Sequence, residues 1–195
     1  MSEKRRDNRN RILREGEYQR KEMRIKVDDL RRNTGLMRSY KKMTKILFVC
    51  HGNICRSPMA EFLMKELVRQ AGQAEAFCIA SAATSAEELG NPVYPPVRRK
   101  LAEHGIDCSG KTARQLTRRD YEDWDLLIGM DEENMAGMRR LFGGDPEGKL
   151  HMLLEYAGLN QDVADPWYTR DFDAAWQDVT VGCTALLNRL SRRHP

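Results

Sequence analysis

The chain has 195 residues, a formal net charge of +4, 32% charged residues and 41% hydrophobic ones. Its longest apolar runs are about five residues, far short of the roughly 20 a membrane-spanning helix needs, so no membrane role is expected. Five cysteines (Cys50, Cys55, Cys78, Cys108, Cys183) form no disulfide framework of the secreted kind, and the length suits one ordinary domain with an appendage.

In chain order, residues 1–42 carry 15 Lys/Arg against 7 Asp/Glu, whereas the remainder carries 18 against 22. The early segment has few large apolar residues in register and cannot bury a core alone, so it reads as a basic extension, disordered or helical. A folded domain is expected over 43–195, starting at Met43. No signal peptide is expected, because the first residues are charged throughout and lack an apolar stretch. The periodicity predicts a strand at 45–50 and a helix at 57–71 closed by Gly72, with Leu63, Met64, Leu67 and Val68 facing inward. A strand at 76–81, a helix at 92–104, a strand at 125–129 and a helix at 131–140 follow, then a short strand at 150–154. The last helix, 172–191, places Val179, Cys183, Leu186 and Leu190 at helical spacing. Alternating strands and helices imply an α/β fold: a three-layer open sandwich whose central, mostly parallel sheet of four strands is covered on both faces.

The first strand runs into Cys50-His51-Gly52-Asn53-Ile54-Cys55-Arg56-Ser57, which opens directly onto a helix. A thiol attacks only as its thiolate, and a free cysteine has a pKa of about 8.5. This loop offers three aids to ionisation: unpaired N–H groups at the helix start, a tight backbone allowed by Gly52, and the fixed cation Arg56. A planar guanidinium also grips two phosphate oxygens at once. Ser57 is placed to donate to the sulfur or to cap the helix, and Pro58 suits a first helical turn. The bland alternative, a cysteine buried at the end of a core strand, does not account for an arginine at the same apolar end. A thiolate nucleophile facing a phosphate is the better reading. Downstream, Asp165-Pro166 alone reads as a turn, but Trp167-Tyr168 beside it adds apolar walls that would desolvate a carboxyl and stack on an aryl group.

The string Val49-Cys50-His51-Gly52-Asn53-Ile54-Cys55-Arg56-Ser57-Pro58 resembles the active-site signature of low-molecular-weight protein tyrosine phosphatases, and Asp165-Pro166-Trp167-Tyr168 resembles that family's acid loop. Between them, Ala80–Thr84, His104–Ile106, Ala113–Leu116 and Met130–Glu132 fall in the family's order, and the resemblance covers 43–195. It implies a metal-independent protein tyrosine phosphatase that needs no cofactor. Cys50 would form a phosphocysteine intermediate. Arg56 and the amides of His51, Gly52, Asn53, Ile54 and Cys55 would hold the phosphoryl oxygens. Ser57 would hydrogen-bond the thiolate, while Asn53 and Ser81 brace the loop. Asp165 would protonate the leaving phenolate and then deprotonate the attacking water, one group serving both half-reactions. Within that resemblance, Ile54 with Trp167 and Tyr168 points to phosphotyrosine, since related phosphoarginine phosphatases tend to carry threonine and a smaller acid loop. His51, Glu87 and Tyr94 depart from some relatives.

Arsenate reduction on the same fold needs relay cysteines, and Cys108 and Cys183 are not a close pair. His104 and Cys108 are readable on one helix face, but no second pair with ligand spacing follows, so no metal is expected. Cys55, four residues from Cys50, suggests a redox role: capture of a sulfenic acid on Cys50 as a disulfide. A reactive thiol also requires a reducing compartment, so a cytoplasmic location is expected. The opening Ser2 to Lys21 is similar to the start of arm-site DNA-binding domains of conjugative-transposon integrases. The similarity stops before such a domain would be complete, and a disordered basic tail or a fused or misplaced start is the preferred reading. Its charge allows weak, salt-sensitive contact with nucleic acid and no reading of bases.

Overall fold

A computed structural model describes residues 43–192. The expectations for residues 1–42 therefore lie outside the described residues. Within them the chain forms β1 (Thr44–Cys50), α1 (Arg56–Gln70), β2 (Phe77–Ala83), α2 (Pro95–Glu103), α3 (Asp120–Asp123), β3 (Leu126–Gly129), α4 (Glu132–Phe142), β4 (Leu150–Met152), α5 (Pro166–Thr169) and α6 (Phe172–Ser191), with short 3-10 turns at Ala74–Ala76 and Leu154–Ala157. The four strands form one sheet in the order β2-β1-β3-β4, and every pairing is parallel.

β1 is central, and Ile46, Leu47, Phe48 and Val49 are all fully buried, as a strand covered on both faces requires. Alternation splits them between two cores: Ile46 and Phe48 pack with α1, α2 and α6, whereas Leu47 and Val49 pack with Met135 and Met138 of α4. The layers are therefore helix, sheet, helix. α6 spans the expected 172–191 and buries Val179, Cys183, Leu186 and Leu190. Gly182 on the same face lies so close to Leu153 that a Cβ there would overlap its side chain. Leu67, expected inside, is only partly buried against the first core.

Two local differences have clear causes. α2 ends at Glu103, and His104 stacks on Trp176 with ring centroids 4.1 Å apart. His104 and Cys108 thus share no helix face, because Gly105 adopts a left-handed φ of 71° and turns the chain. Short α3 and α5 were hidden from periodicity by their four-residue length.

Candidate active site

The carboxyl end of β1 delivers Cys50 to the loop, and α1 begins at Arg56, one residue earlier than the sequence suggests. Ser57 is consequently inside the helix and does not cap it. Its hydroxyl instead lies 3.0 Å from Cys50 Sγ, and the Asn53 amide donates to the same sulfur at 3.3 Å. The tight conformation expected at Gly52 falls on Asn53, whose φ is 56°. Asparagine tolerates that left-handed geometry better than most residues, and the strain is offset by a complete set of hydrogen bonds. Asn53 Nδ2 donates to Ser57 Oγ at 2.9 Å and to Ser81 Oγ at 2.7 Å, while Oδ1 accepts from the Arg114 amide at 3.1 Å. Gly52 instead sits against the Glu88 side chain, where a Cβ would stand 3.0 Å from Cγ and oblige that side chain to shift.

The Arg56 side chain is 5% exposed and lies between two carboxylates, with Nη1 at 2.5 Å from Asp131 and Nη2 at 2.6 Å from Asp165. Burial alone would lower its pKa, but the charges of Cys50, Asp131 and Asp165 reverse that and hold it above the ordinary value. Asp131 also caps α4 through a bond from the Asn134 amide. It comes from the carboxyl end of β3, next to β1, which is how two adjacent parallel strands bring a cysteine loop and a carboxylate together.

Asp165 caps α5, accepting from the Trp167 amide at 2.9 Å through Oδ1 while Oδ2 faces Arg56. Its carboxylate is therefore engaged by a cation and an amide, not set among rings alone. Trp167 is 42% exposed and packs edge-on against Tyr94, ring centroids 5.5 Å apart, with the Arg170 guanidinium over its ring at 5.6 Å. Tyr168 is 83% exposed at the rim. A cavity of about 150 Å³ is lined by Cys50, His51, Gly52, Ile54, Cys55 and Arg56 on one side and by Asp165, Trp167, Tyr168, Glu87 and Glu88 on the other. Every expected site residue lines this cavity except Asn53, Ser57 and Ser81, which stand behind it. His51 Nε2 meets Glu87 at 3.0 Å at the mouth.

Behind the loop lies an ionic cluster around the buried Glu61 that motif reading misses. Glu61, 4% exposed, accepts from Ser81 Oγ at 2.5 Å and pairs with Lys65 at 2.5 Å and Lys111 at 3.1 Å. Tyr94 and Asp131 were likewise missed as site residues. The signal for Asp131 was its place after a buried strand, the same place Cys50 holds.

The family model for low molecular weight phosphotyrosine protein phosphatases matches residues 45–195. The chain belongs to that family. A low molecular weight protein-tyrosine-phosphatase of Bacillus subtilis, YfkJ, is 36% identical over 152 residues, which cover 77% of this chain and 97% of the relative. The crystal structure of YfkJ superposes with a TM-score of 0.76 at 35% identity, covering 79% and 98% of the two chains. A Drosophila arginine phosphatase superposes at 0.70 with 26% identity, covering 75% and 98%. Residues 1–28 separately match the family model for the DNA binding domain of the Tn916 integrase, which is a similarity of that short segment alone. As a member of this phosphatase family the chain is a phosphoric monoester hydrolase acting on phosphoproteins.

Proposed function

We propose that this phosphatase hydrolyses phosphotyrosine in protein substrates through the residues around Cys50. The observation that carries the reading is the placement of Cys50 Sγ against Ser57 and the Asn53 amide at the start of α1, with Arg56 and Asp165 on the same 150 Å³ cavity. Cys50 sulfur attacks phosphorus and the bond to the phenolic oxygen breaks. Arg56 and the loop amides hold the equatorial oxygens, and Asp165 donates its proton to the departing oxygen. Water then attacks the phosphocysteine, giving its proton to Asp165 and releasing phosphate and the thiolate. A phosphoryl group brought to the loop competes with Asp165 for the Arg56 guanidinium, which frees the carboxyl for the leaving group. Positive charge comes from Arg56 and oriented amides, so no metal enters this scheme.

Ile54, 7% exposed on the cavity, with the rings of Trp167 and Tyr168 at its mouth, supports an aryl phosphate over the guanidine phosphate of an arginine phosphatase. Cys55, on the same cavity, is assigned the redox role of capturing an oxidised Cys50. Residues 43–195 are assigned to the catalytic domain, in a cytoplasmic protein.

Turnover of p-nitrophenyl phosphate in the presence of a chelator is the direct test. Cys50→Ser is expected to abolish it. Asp165→Asn is expected to slow it by about 10²–10⁴-fold, most for poor leaving groups. Equal activity of Cys50→Ser and wild type would end the proposal. Parallel assays on phosphotyrosine and phosphoarginine peptides decide between the two phosphoryl groups.

A further inference from the structure

A second cavity, about 500 Å³ in volume, adjoins the catalytic one across His51, which lines both. Its walls come from the chain beyond β2, the segment after Gln115 and the outer face of α4, and they present Thr84, Gln115, Arg118, Arg140 and Glu133. The two arginines are set apart by their partners. Arg114, Arg119 and Arg139 each face a carboxylate, Asp120, Asp123 and Glu132 respectively. Arg118 and Arg140 make no ion pair with any of the described residues, although they converge on one cavity from different segments. Residues 43–195 as a whole carry more acidic than basic side chains, so this pair stands against the prevailing charge. The catalytic cavity itself is lined by Glu87 and Glu88, and Glu87 meets His51 at 3.0 Å.

We infer that this groove is a specificity subsite for an acidic side chain flanking the phosphotyrosine of a protein substrate, held by Arg118 and Arg140. The inference rests on the phosphatase reading of the neighbouring cavity. An extended chain advances about 3.3 Å per residue, so positions one to three residues from a phosphotyrosine seated over Cys50 pass His51 and reach the groove. A carboxylate there meets two guanidiniums that can each bind it in a fork. Glu133 on the same wall and Glu87, paired with His51 between the cavities, oppose it in part, which makes the selectivity moderate.

The test measures kcat/KM for two phosphotyrosine peptides of equal length, one with Glu at the three positions on each side and one with Gln there. Nitrophenyl phosphate, which has no flanks, serves as the control substrate. The wild type is expected to favour the Glu peptide by about threefold to tenfold, less at high salt. Arg118→Gln with Arg140→Gln is expected to erase the preference, and Glu133→Gln to enlarge it. Turnover of nitrophenyl phosphate should stay within about twofold throughout. An active wild type without preference, or a double arginine variant that keeps it, overturns the subsite alone. A wild type inactive on nitrophenyl phosphate overturns the phosphatase reading and the subsite with it.

Discussion

Cys55 stands at the boundary of α1, only 6% exposed. Its thiol pKa is pushed up to about 12, first by burial and then by the negative charges of Cys50 and Asp165, which Arg56 only partly opposes. Cys55 is thus a protonated thiol at any physiological pH, whereas the Cys50 sulfur accepts a hydrogen bond from the Asn53 amide and lies 3.0 Å from the Ser57 hydroxyl. Iodoacetamide at pH 7 is therefore expected to label Cys50 with loss of activity and to leave Cys55 unlabelled, even when the pH is raised to about 9. Peptide mass spectrometry reads this directly, and comparable labelling of both thiols would contradict it. The same asymmetry fixes the order of oxidation. Peroxide takes Cys50 to the sulfenic acid, which removes the Cys50 charge that helps hold the Cys55 proton; that proton then leaves with the sulfenic oxygen as water while the Cys55 sulfur closes the disulfide, a step expected to be slow at neutral pH. A 50–55 crosslink after mild peroxide is the expected product, and its absence would remove the redox role of Cys55.

The loop is held from outside by elements that periodicity does not connect to it. Ala83 donates its amide to the Arg114 carbonyl and accepts from the Leu116 amide, extending the sheet edge beyond β2, and the Arg114 amide then donates to Asn53. Arg114 is in turn fixed by two bonds to Asp120 of α3, which also accepts from the Thr117 amide and hydroxyl and from the Trp124 ring. Burial alone would raise the Asp120 pKa, but the bonds from Arg114 and Thr117 prevail and hold it below the ordinary 3.8. A carboxyl depressed in the folded state stabilises the fold above its unfolded pKa and loses that contribution as pH falls through the folded value. Asp120→Asn is expected to lower stability at pH 7 by about 1–3 kcal/mol, with the gap to wild type narrowing below about pH 4. Urea unfolding across that range measures it, and a pH-independent gap would refute the assignment. None of this support is legible in the sequence, whereas the loop itself is. Cys50 to Ser57 is a contiguous string in which each residue type constrains the others. Asp131, Glu61, Lys111 and Tyr94 reach the site only through the β2-β1-β3 strand order and the packing of α1, α2 and α5. The placement of the left-handed turn was misread for a related reason: glycine signals conformational freedom, but the hydrogen bonds that hold Asn53 at positive φ come from Ser57, Ser81 and Arg114.

At the scale of the whole chain, net charge changes sign close to where the family match begins. The family match begins at residue 45. Catalysis, as proposed, needs nothing before Met43. Residues 1–42 nonetheless carry eight more basic than acidic side chains, and 43–195 four more acidic than basic ones, so removing the first 42 inverts the net charge from +4 to −4. A chain beginning at Met43 is therefore expected to fold, to turn over nitrophenyl phosphate with kcat/KM within about twofold of the full chain, and to lose retention on a cation exchanger. Binding of the full chain to duplex DNA is expected only at low salt, indifferent to sequence and absent from the shortened chain, because basic charge contacts phosphates without reading bases. Loss of turnover on truncation would place part of the catalytic domain in residues 1–42. Binding that discriminates between DNA sequences and survives 200 mM salt would instead give the integrase-like segment a recognition role that its 28 matched residues do not by themselves support.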